Sequence, residues 1–251
     1  MKITATLPEQ ANVSGNIPLV DITLKVRDDK FIKEPTTLVS TNTNYTDTAN
    51  NVVQVKSADF YVSMIPTYSE TFGDVLAEGL MRNGATYFGI DHTAVGGTLK
   101  AVDVNGIAYN GVISKQPSFT LTKLPITNKP LTFVMDIPGH FTVRKPFLIS
   151  DNDNGSLIGQ RMKLNYNPAI AGDVNKDDAI DVLDAIYIQT FWGTSKREAD
   201  INFDGKVDAT DMGFVKKNYL MQNPTAPNAP KPKKTYKGQT LESVLESLNI
   251  Q

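Results

Sequence analysis

Two copies of one acidic pattern constrain this chain more than any other feature of its sequence. The first copy runs from Asp173 to Asp184 and the second from Asp200 to Asp211. In each copy, residues with side-chain oxygens stand at positions 1, 3, 5, 9 and 12 of a twelve-residue segment, as in a calcium-binding EF-hand loop. A hard cation of this size takes about six to eight oxygen ligands, and a tight loop supplies them from alternating residues. The sequence therefore predicts two calcium sites.

The predicted ligands are side-chain oxygens at those five positions and the backbone carbonyl oxygen at position 7. In the first loop they are Asp173, Asn175, Asp177, Ala179, Asp181 and Asp184. In the second loop they are Asp200, Asn202, Asp204, Lys206, Asp208 and Asp211. Position 8 is apolar in both copies, as Ile180 and Val207. We expect the two loops to lie side by side and to pair there through a short backbone bridge.

Helical periodicity follows each loop, over 182–192 and 210–220, but does not precede it. A loop followed by one helix, repeated with the second start 27 residues after the first (200 minus 173), resembles a dockerin domain over about 172–221. One departure is Asp178 at position 6, where the family usually has glycine and the second copy has Gly205. A non-glycine residue takes the required turn at some energetic cost, so the first site is expected to bind calcium more weakly.

The resemblance to dockerins implies a small all-α domain that binds two calcium ions and docks on a cohesin module, on another protein or within the same chain. In dockerins, positions 10 and 11 of each loop face the cohesin. These positions are Val182 and Leu183 in the first copy, and Ala209 and Thr210 in the second. The near symmetry of the copies implies two docking orientations, which the different residues make unequal. The alternative that Val182 or Leu183 belongs to the core stays open.

A simpler interpretation is that Asp and Asn gather here only because they favour turns and helix N-caps. That accounts for one loop better than for two matching ones. Between residues 172 and 221 there are ten acidic and six basic side chains. Crowded carboxylates repel one another without a cation, so metal binding and folding of this segment are expected to be coupled.

The chain before the loops shows period-two alternation of apolar and polar residues, which is typical of half-buried antiparallel strands. The predicted fold is mainly β-sandwich modules followed by the small all-α dockerin with its duplicated loop and helix. Residues 1–56 resemble the closing strands of a cohesin-like module. Residues 57–168 are predicted to be a β-sandwich spacer, immunoglobulin-like or carboxypeptidase-regulatory-like. The dockerin takes 169–222, and a Pro- and Lys-rich linker with a short helix takes 223–251. The predicted strands are 2–7, 17–26, 36–40, 52–55, 60–64, 85–90, 97–102, 108–113, 118–122, 131–136 and 141–144, with a helical turn within 74–81.

Composition excludes several classes of function. The net charge of -2 gives no reason to expect a nucleic-acid partner, and the absence of cysteine excludes disulfides and thiolate metal sites. No apolar run approaches the ~18–20 residues of a membrane span. The two histidines, His92 and His140, form no metal or catalytic motif and are expected in turns or at the surface. The chain is therefore predicted to be non-catalytic, although a catalytic domain in another part of the protein is compatible with it.

Two functions fit these observations. The first is a docking module of a secreted or cell-surface bacterial protein, which binds a cohesin to assemble extracellular complexes on polysaccharide or on the cell surface. An extracellular location suits loops that need millimolar calcium. The second is a calcium-stabilised accessory region of a secreted hydrolase, either a subtilisin-like protease or a glycosidase. In that case the β-modules are expected to contact substrate, including polysaccharide.

Overall fold

A computed structural model describes residues 36–39, 44–46, 49–54, 59–62, 66–153 and 155–250. The strands predicted over 2–7 and 17–26 lie outside these residues. The chain divides into two compact units, with the boundary between Ile65 and Pro66.

The described residues of the first unit form four short strands in two antiparallel pairs. They are β1 (Thr36–Val39), β2 (Asn44–Thr46), β3 (Val52–Gln54) and β4 (Asp59–Val62). Strand β1 pairs with β4, and β2 pairs with β3. The segment predicted as the first strand of the spacer therefore belongs with the first unit, and the second unit begins at 66 rather than 57. Alternation shows that a short segment is a strand but not which strand it pairs with.

The second unit begins with a sandwich of two four-stranded sheets. The strands of this region are β5 (Ser69–Asp74), β6 (Met81–Arg82), β7 (Ala85–Thr86), β8 (Thr98–Val102), β9 (Ala108–Asn110), β10 (Val112–Ile113), β11 (Ser118–Leu124), β12 (Leu131–Asp136), β13 (Val143–Phe147), β14 (Asp151–Asp153), β15 (Ser156–Ile158) and β16 (Arg161–Lys163). Strand β6 pairs with β7 and β14 pairs with β15 outside the two sandwich sheets. One sheet has the order β10-β11-β5-β16 and the other β13-β12-β8-β9. Only the contact between β16 and β5 is parallel among the pairs of these two sheets.

The sandwich core comes from the inward-facing residues of these strands. Leu131, Phe133 and Met135 alternate along β12 and are all buried. The ring of Phe133 stacks on Phe119 of the opposite sheet with centroids 5.2 Å apart. The predicted period-two pattern is confirmed for this strand, because one of its faces meets the other sheet and the other does not.

Strand β5 is central to its sheet but was not predicted, because its sequence, SETFGD, is largely polar. Its buried hydroxyl groups have partners: Ser69 Oγ accepts the Gln160 N–H at 3.2 Å, and Thr71 Oγ1 donates to the Met162 carbonyl at 3.0 Å. Satisfied polar groups are tolerated in a buried strand, and they hide the apolar alternation. The predicted helical turn within 74–81 is reduced to a 3₁₀ turn, Glu78–Leu80.

The rest of the unit contains three short helices and two small strand pairs. They are β17 (Ala179–Ile180), α1 (Val182–Thr190), α2 (Ala209–Lys217), β18 (Met221–Gln222), β19 (Thr235–Tyr236), β20 (Gln239–Thr240) and α3 (Leu241–Ser247). Each helix begins at a capping box, with Asp181, Asp208 and Thr240 as the N-caps. The loop-then-helix order predicted for each copy is confirmed, with helices that end two or three residues earlier than their periodicity indicated.

The predicted backbone bridge between Ile180 and Val207 does not form. Ile180 instead accepts the Leu220 N–H at 2.8 Å, and Val207 exchanges hydrogen bonds with Gly193 and Thr194. Each position-8 residue therefore pairs with the segment that follows the helix of the other copy. Both side chains are fully buried in one core beneath the helices, so the apolar position 8 has a packing role.

Candidate calcium-binding and docking site

The carboxylate at position 12 closes each loop onto its own backbone. Asp184 Oδ1 accepts the Val174 N–H at 3.0 Å, and Oδ2 accepts the Asp181 N–H at 2.8 Å. Asp211 receives the corresponding N–H groups, from Ile201 at 2.7 Å and from Asp208 at 2.9 Å. Both carboxylates are fully buried. The two copies thus share one hydrogen-bond pattern, which fixes both ends of each loop relative to its helix.

The carboxylate at position 1 differs between the copies. In the second loop, Asp200 accepts N–H groups from Asp204 at 3.1 Å and from Gly205 at 3.0 Å. In the first loop, Asp173 Oδ1 accepts the Asp177 N–H at 3.1 Å, but Oδ2 is buried without a hydrogen-bond partner. A buried, unpartnered carboxylate oxygen is costly unless a cation or proton compensates it.

Positions 3, 5 and 7 form an Asx-type turn in each loop. In the first loop, Asn175 Oδ1 accepts the Asp177 N–H at 3.0 Å, and Asp177 Oδ1 accepts the Ala179 N–H at 3.0 Å. The second loop repeats both bonds at 3.0 Å through Asn202, Asp204 and Lys206. The amide of the Asn also donates to the position-5 carboxylate, at 3.1 Å in the first loop and 2.8 Å in the second.

Burial raises the pKa of three loop carboxyl groups, and neighbouring carboxylates add to the effect. The pKa is raised to about 7 for Asp173, to about 8 for Asp184 and to about 6 for Asp211. Backbone N–H groups at the position-12 carboxylates oppose this rise but do not cancel it. Such groups favour a bound proton or a bound cation over free negative charge.

In the described part of the chain, no three His, Cys, Asp or Glu side chains stand together as a ready-made metal site. The loop oxygens are instead used by the loop's own N–H groups, as set out above. The donor set nevertheless fits calcium, because all of its side-chain donors are carboxylate or amide oxygens and Asp173 Oδ2 lacks a partner.

Position 4 of each loop attaches it to the sandwich. Lys176 has φ 61° and Phe203 has φ 56°, which is the left-handed conformation that points these side chains away from the loop. Lys176 Nζ lies 2.5 Å from Asp136 Oδ1 and also donates to the His140 carbonyl. Phe203 packs against the sandwich core, with the Arg197 guanidinium 4.9 Å from its ring centroid.

Asp178, at the position where glycine was expected, has φ 66° and partners outside its loop. Its carboxylate receives the Arg144 guanidinium at 3.2 Å and the Asn223 Nδ2 at 2.6 Å. Its carbonyl accepts the Asn223 N–H at 2.8 Å. Arg144 lies in strand β13 of the sandwich, and Asn223 follows β18. Asp178 thus joins the first loop to two other segments, which offsets the strain of its backbone.

A third attachment lies at the 3₁₀ turn of the sandwich. Glu78 accepts the Ala171 N–H at 3.0 Å and Asn218 Nδ2 at 2.8 Å, and Lys217 Nζ lies 2.5 Å away. Burial by itself raises the pKa of Glu78, but these three partners together lower it below its usual value. The Glu78 carboxylate lines a cleft of about 570 Å³ between the turn and α2.

His140 is part of the same contact. The two histidines were expected in turns or at the surface; both are buried, with His92 in a turn and His140 directly after one. His140 Nε2 accepts the Gly79 N–H at 2.9 Å, and Nδ1 lies 2.9 Å from the Pro138 carbonyl. The ring is therefore neutral, with its proton on Nδ1. Burial lowers the pKa of His140 to about 4. A Cβ on Gly79 would stand 2.6 Å from Ile201, so only glycine permits this close approach.

A family model for the dockerin type I domain matches residues 171–221. These residues are a dockerin type I domain. The match spans both loops and both helices described above, and dockerins are non-catalytic binding modules that bind calcium. A search of curated proteins finds no match.

The solved structures that are similar to part of the chain include two of one complex. Both are interface mutants of a type II cohesin–X–dockerin complex from Acetivibrio cellulolyticus, one altered at the C-terminal interface and one at the N-terminal interface. The identities are 16% and 17% and the TM-scores 0.43 and 0.44, and each match covers 62% of this chain and 97% of the other. Scores this low do not establish a shared fold, so the family model alone identifies the domain.

The positions predicted to face a cohesin differ between the two copies of the dockerin. Ala209 and Thr210, at the start of α2, are exposed. Leu183 is partly exposed, whereas Val182 is fully buried. The residues that attach the dockerin to the sandwich, Arg144 and Glu78, were not predicted from the sequence. Each contacts a residue more than thirty positions away, and no local pattern indicates such a partner. No helix in the described residues is both long and apolar enough to cross a bilayer.

Proposed function

We propose that the dockerin binds two calcium ions and docks on a cohesin module of another protein or of the same chain. The observation that carries the proposal is the repetition of one loop geometry in both copies, down to the bonds of the position-12 carboxylates. Calcium, when bound, supplies the positive charge that these crowded carboxylates lack. Ligands are proposed at positions 1, 3, 5, 7, 9 and 12 of each loop, as the sequence predicts.

The chain's own residues then transmit the fixed loop geometry to the docking surface. Asp184 and Asp211 connect each loop to the first turn of the helix that follows it. The loops thereby set the positions of α1 and α2, whose first turns carry the candidate contact residues. We place the protein outside the cell or at its surface, where calcium is abundant and dockerins work. There it would recruit an attached protein to an assembly on polysaccharide or on the cell surface.

The test is capture of purified type I and type II cohesins by the intact chain, with millimolar calcium and with excess chelator. The expected result is capture by at least one cohesin, lost when calcium is removed, together with uptake of about two calcium ions per chain in a titration. Asp211→Asn serves as a matched variant that keeps the side-chain size but weakens the closing ligand of the second loop. Calcium-independent capture, or no uptake of calcium, would contradict the proposal.

A second candidate function is that the loops stiffen the tail of a secreted hydrolase. The attachments of Lys176, Asp178 and Glu78 favour it, because they tie both copies firmly to the sandwich. In this case calcium raises the melting temperature of the chain, but no cohesin is captured. The β-modules would then contact substrate, including polysaccharide, which a pull-down on insoluble polysaccharide tests directly.

A further inference from the structure

The segment after the dockerin, residues 231–250, folds back onto the first copy; we call it the C-terminal extension. Its helix α3 buries Leu241, Val244 and Leu245 in the same core that holds Ile188 of α1. At the far end of α1, Gln189 Nε2 donates to Ser247 Oγ at 2.6 Å. The short helix predicted within 223–251 is therefore part of the core that the two loop-helix copies share.

The extension also bonds to the beginning of α1. The Lys233 N–H donates to Asp181 Oδ2 at 2.6 Å, and the Lys233 carbonyl accepts the Val182 N–H at 3.2 Å. These two bonds place the backbone of Lys233 directly against positions 9 and 10 of the first loop. In the second loop, Asp208 receives the Thr210 N–H at 2.8 Å. In the described residues, no other segment forms hydrogen bonds with positions 9 and 10 of the second loop as Lys233 does with those of the first.

The side-chain exposure at position 10 differs between the two copies in the same way. Val182 is 0% exposed although it does not belong to the hydrophobic core cluster that contains Ile188. Its equivalent, Ala209, is exposed at the start of α2, and Thr210 beside it is exposed too. The two halves share their loop geometry, so the asymmetry arises from what covers the first copy.

We infer that the C-terminal extension covers the first-copy docking surface and leaves the second-copy surface as the one that a cohesin meets. This inference rests on the proposed function, and it names which half of the pseudo-symmetric domain is used. A domain with two equivalent surfaces can dock in two orientations, whereas a domain with one surface covered docks in one.

The open surface has a defined chemistry. Ala209, Thr210 and Gly213 are small, and a Cβ placed on Gly213 meets no atom within 4 Å. Small residues along an exposed helix let a flat sheet surface approach closely. The partner surface is therefore expected to be flat where it meets the start of α2.

Whether the C-terminal extension covers the first-copy surface can be tested without any cohesin. Because the chain has no cysteine of its own, a single introduced cysteine can be labelled specifically. Single-cysteine variants Val182→Cys and Ala209→Cys are labelled with a maleimide in millimolar calcium. We expect Val182→Cys to react at least about 100-fold more slowly than Ala209→Cys, since labelling requires local opening of the extension. Equal rates in the otherwise unchanged chain would overturn the inference.

Two further substitutions are expected to detach the C-terminal extension from the first copy. Leu245→Asp places a charge in the α3 contact, and Lys233→Pro removes the N–H that donates to Asp181. Each is expected to accelerate labelling of Val182→Cys by at least about tenfold and to leave Ala209→Cys unchanged. Glu246→Gln, on the exposed side of α3, is the matched control and should change neither rate. Trp192 fluorescence shows whether each variant keeps its fold. A folded Leu245→Asp chain in which Val182→Cys stays protected would contradict the inference.

Cohesin binding supplies the second readout, with a cohesin found by the capture assay as the probe. Ala209→Arg should weaken capture at least about tenfold in the otherwise unchanged chain, because it blocks the second-copy surface that the extension leaves open. In the Leu245→Asp background the same substitution should weaken capture far less, since the first-copy surface is then available. Unchanged capture by Ala209→Arg would overturn the single-surface inference. If no cohesin binds at all, the proposed function fails, while the labelling rates still decide whether the extension is a cover.

Discussion

Asp178→Gly is the substitution for which the structure and the family pattern predict opposite results. The family pattern favours glycine at position 6, so this change should relieve strain and stabilise the protein. In the structure, Asp178 holds Arg144 of the sandwich and Asn223 beyond β18. Removing its carboxylate breaks both attachments, so we expect Asp178→Gly to destabilise the chain.

The contacts of Asp178 set the size of the effect. Glycine relieves the strain of φ 66°, a gain of about 1 kcal/mol. The Arg144 and Asp178 side chains are 32% and 24% exposed, so we discount their ion pair to about 1 kcal/mol. The hydrogen bond from Asn223 to a charged, largely buried acceptor contributes about 2 kcal/mol. The expected net loss in the free energy of unfolding is therefore about 2 kcal/mol.

Urea unfolding in saturating calcium measures this loss, with the single tryptophan, Trp192, as the fluorescent reporter at the end of α1. Gly205→Asp is the matched control in the second loop, where φ is +93° and a Cβ meets no neighbour within 4 Å. It adds strain without gaining a partner and should lose about 1 kcal/mol. Arg144→Ala completes a double-mutant cycle, with an expected coupling to Asp178 of about 1 kcal/mol.

Two outcomes refute the reasoning. The first is an unfolding midpoint of Asp178→Gly equal to or above that of the parent at an unchanged slope. The second is a coupling of zero between Asp178 and Arg144, which would show that the pair contributes nothing in solution. Either result would leave position 6 of the first loop as a strained residue without a compensating role.

Three further predictions concern the metal, the buried histidine and the attachment of α2. Removing calcium with a chelator should reduce far-UV helicity and change Trp192 emission, and signals that stay constant count against coupled metal binding and folding. The folded chain keeps His140 neutral with a pKa of about 4, while the unfolded chain protonates it near 6.5. Its contribution, about 3 kcal/mol, is therefore complete above pH 6.5 and is lost as the pH falls towards 4. In saturating calcium, His140→Gln should make the free energy of unfolding depend less on pH between about 4 and 6.5. If the pH dependence is unchanged, other groups cause the acid sensitivity. Glu78→Gln weakens the contacts with Lys217 and Asn218 and should lower the free energy of unfolding by about 1–2 kcal/mol, whereas Glu246→Gln at an exposed site should not.

The acidic loops and their helices could be predicted because the residues that specify them lie close together in the sequence. Side-chain oxygens at alternating positions, N-caps at Asp181 and Asp208, and apolar periodicity after them all lie within one short segment. Strand β12 could be predicted for the same reason, because its apolar residues alternate along the strand and form the face that is buried between the two sheets. Strand β5 was missed because its buried positions include Ser69 and Thr71, which are stabilised by partners far along the chain.

The sequence by itself determined that this protein carries two loop-helix copies with calcium-type donors, since ligand spacing and helix capping act between neighbouring residues. Only the tertiary structure decided how the copies differ. Asp178 departs from glycine because Arg144, 34 positions away, pairs with its carboxylate. Val182 is covered and Ala209 is open because Lys233 bonds to the first loop, and no segment of the described residues does the same at the second. Such contacts depend on where the whole chain places distant segments, and the residues adjacent to each position do not encode that placement.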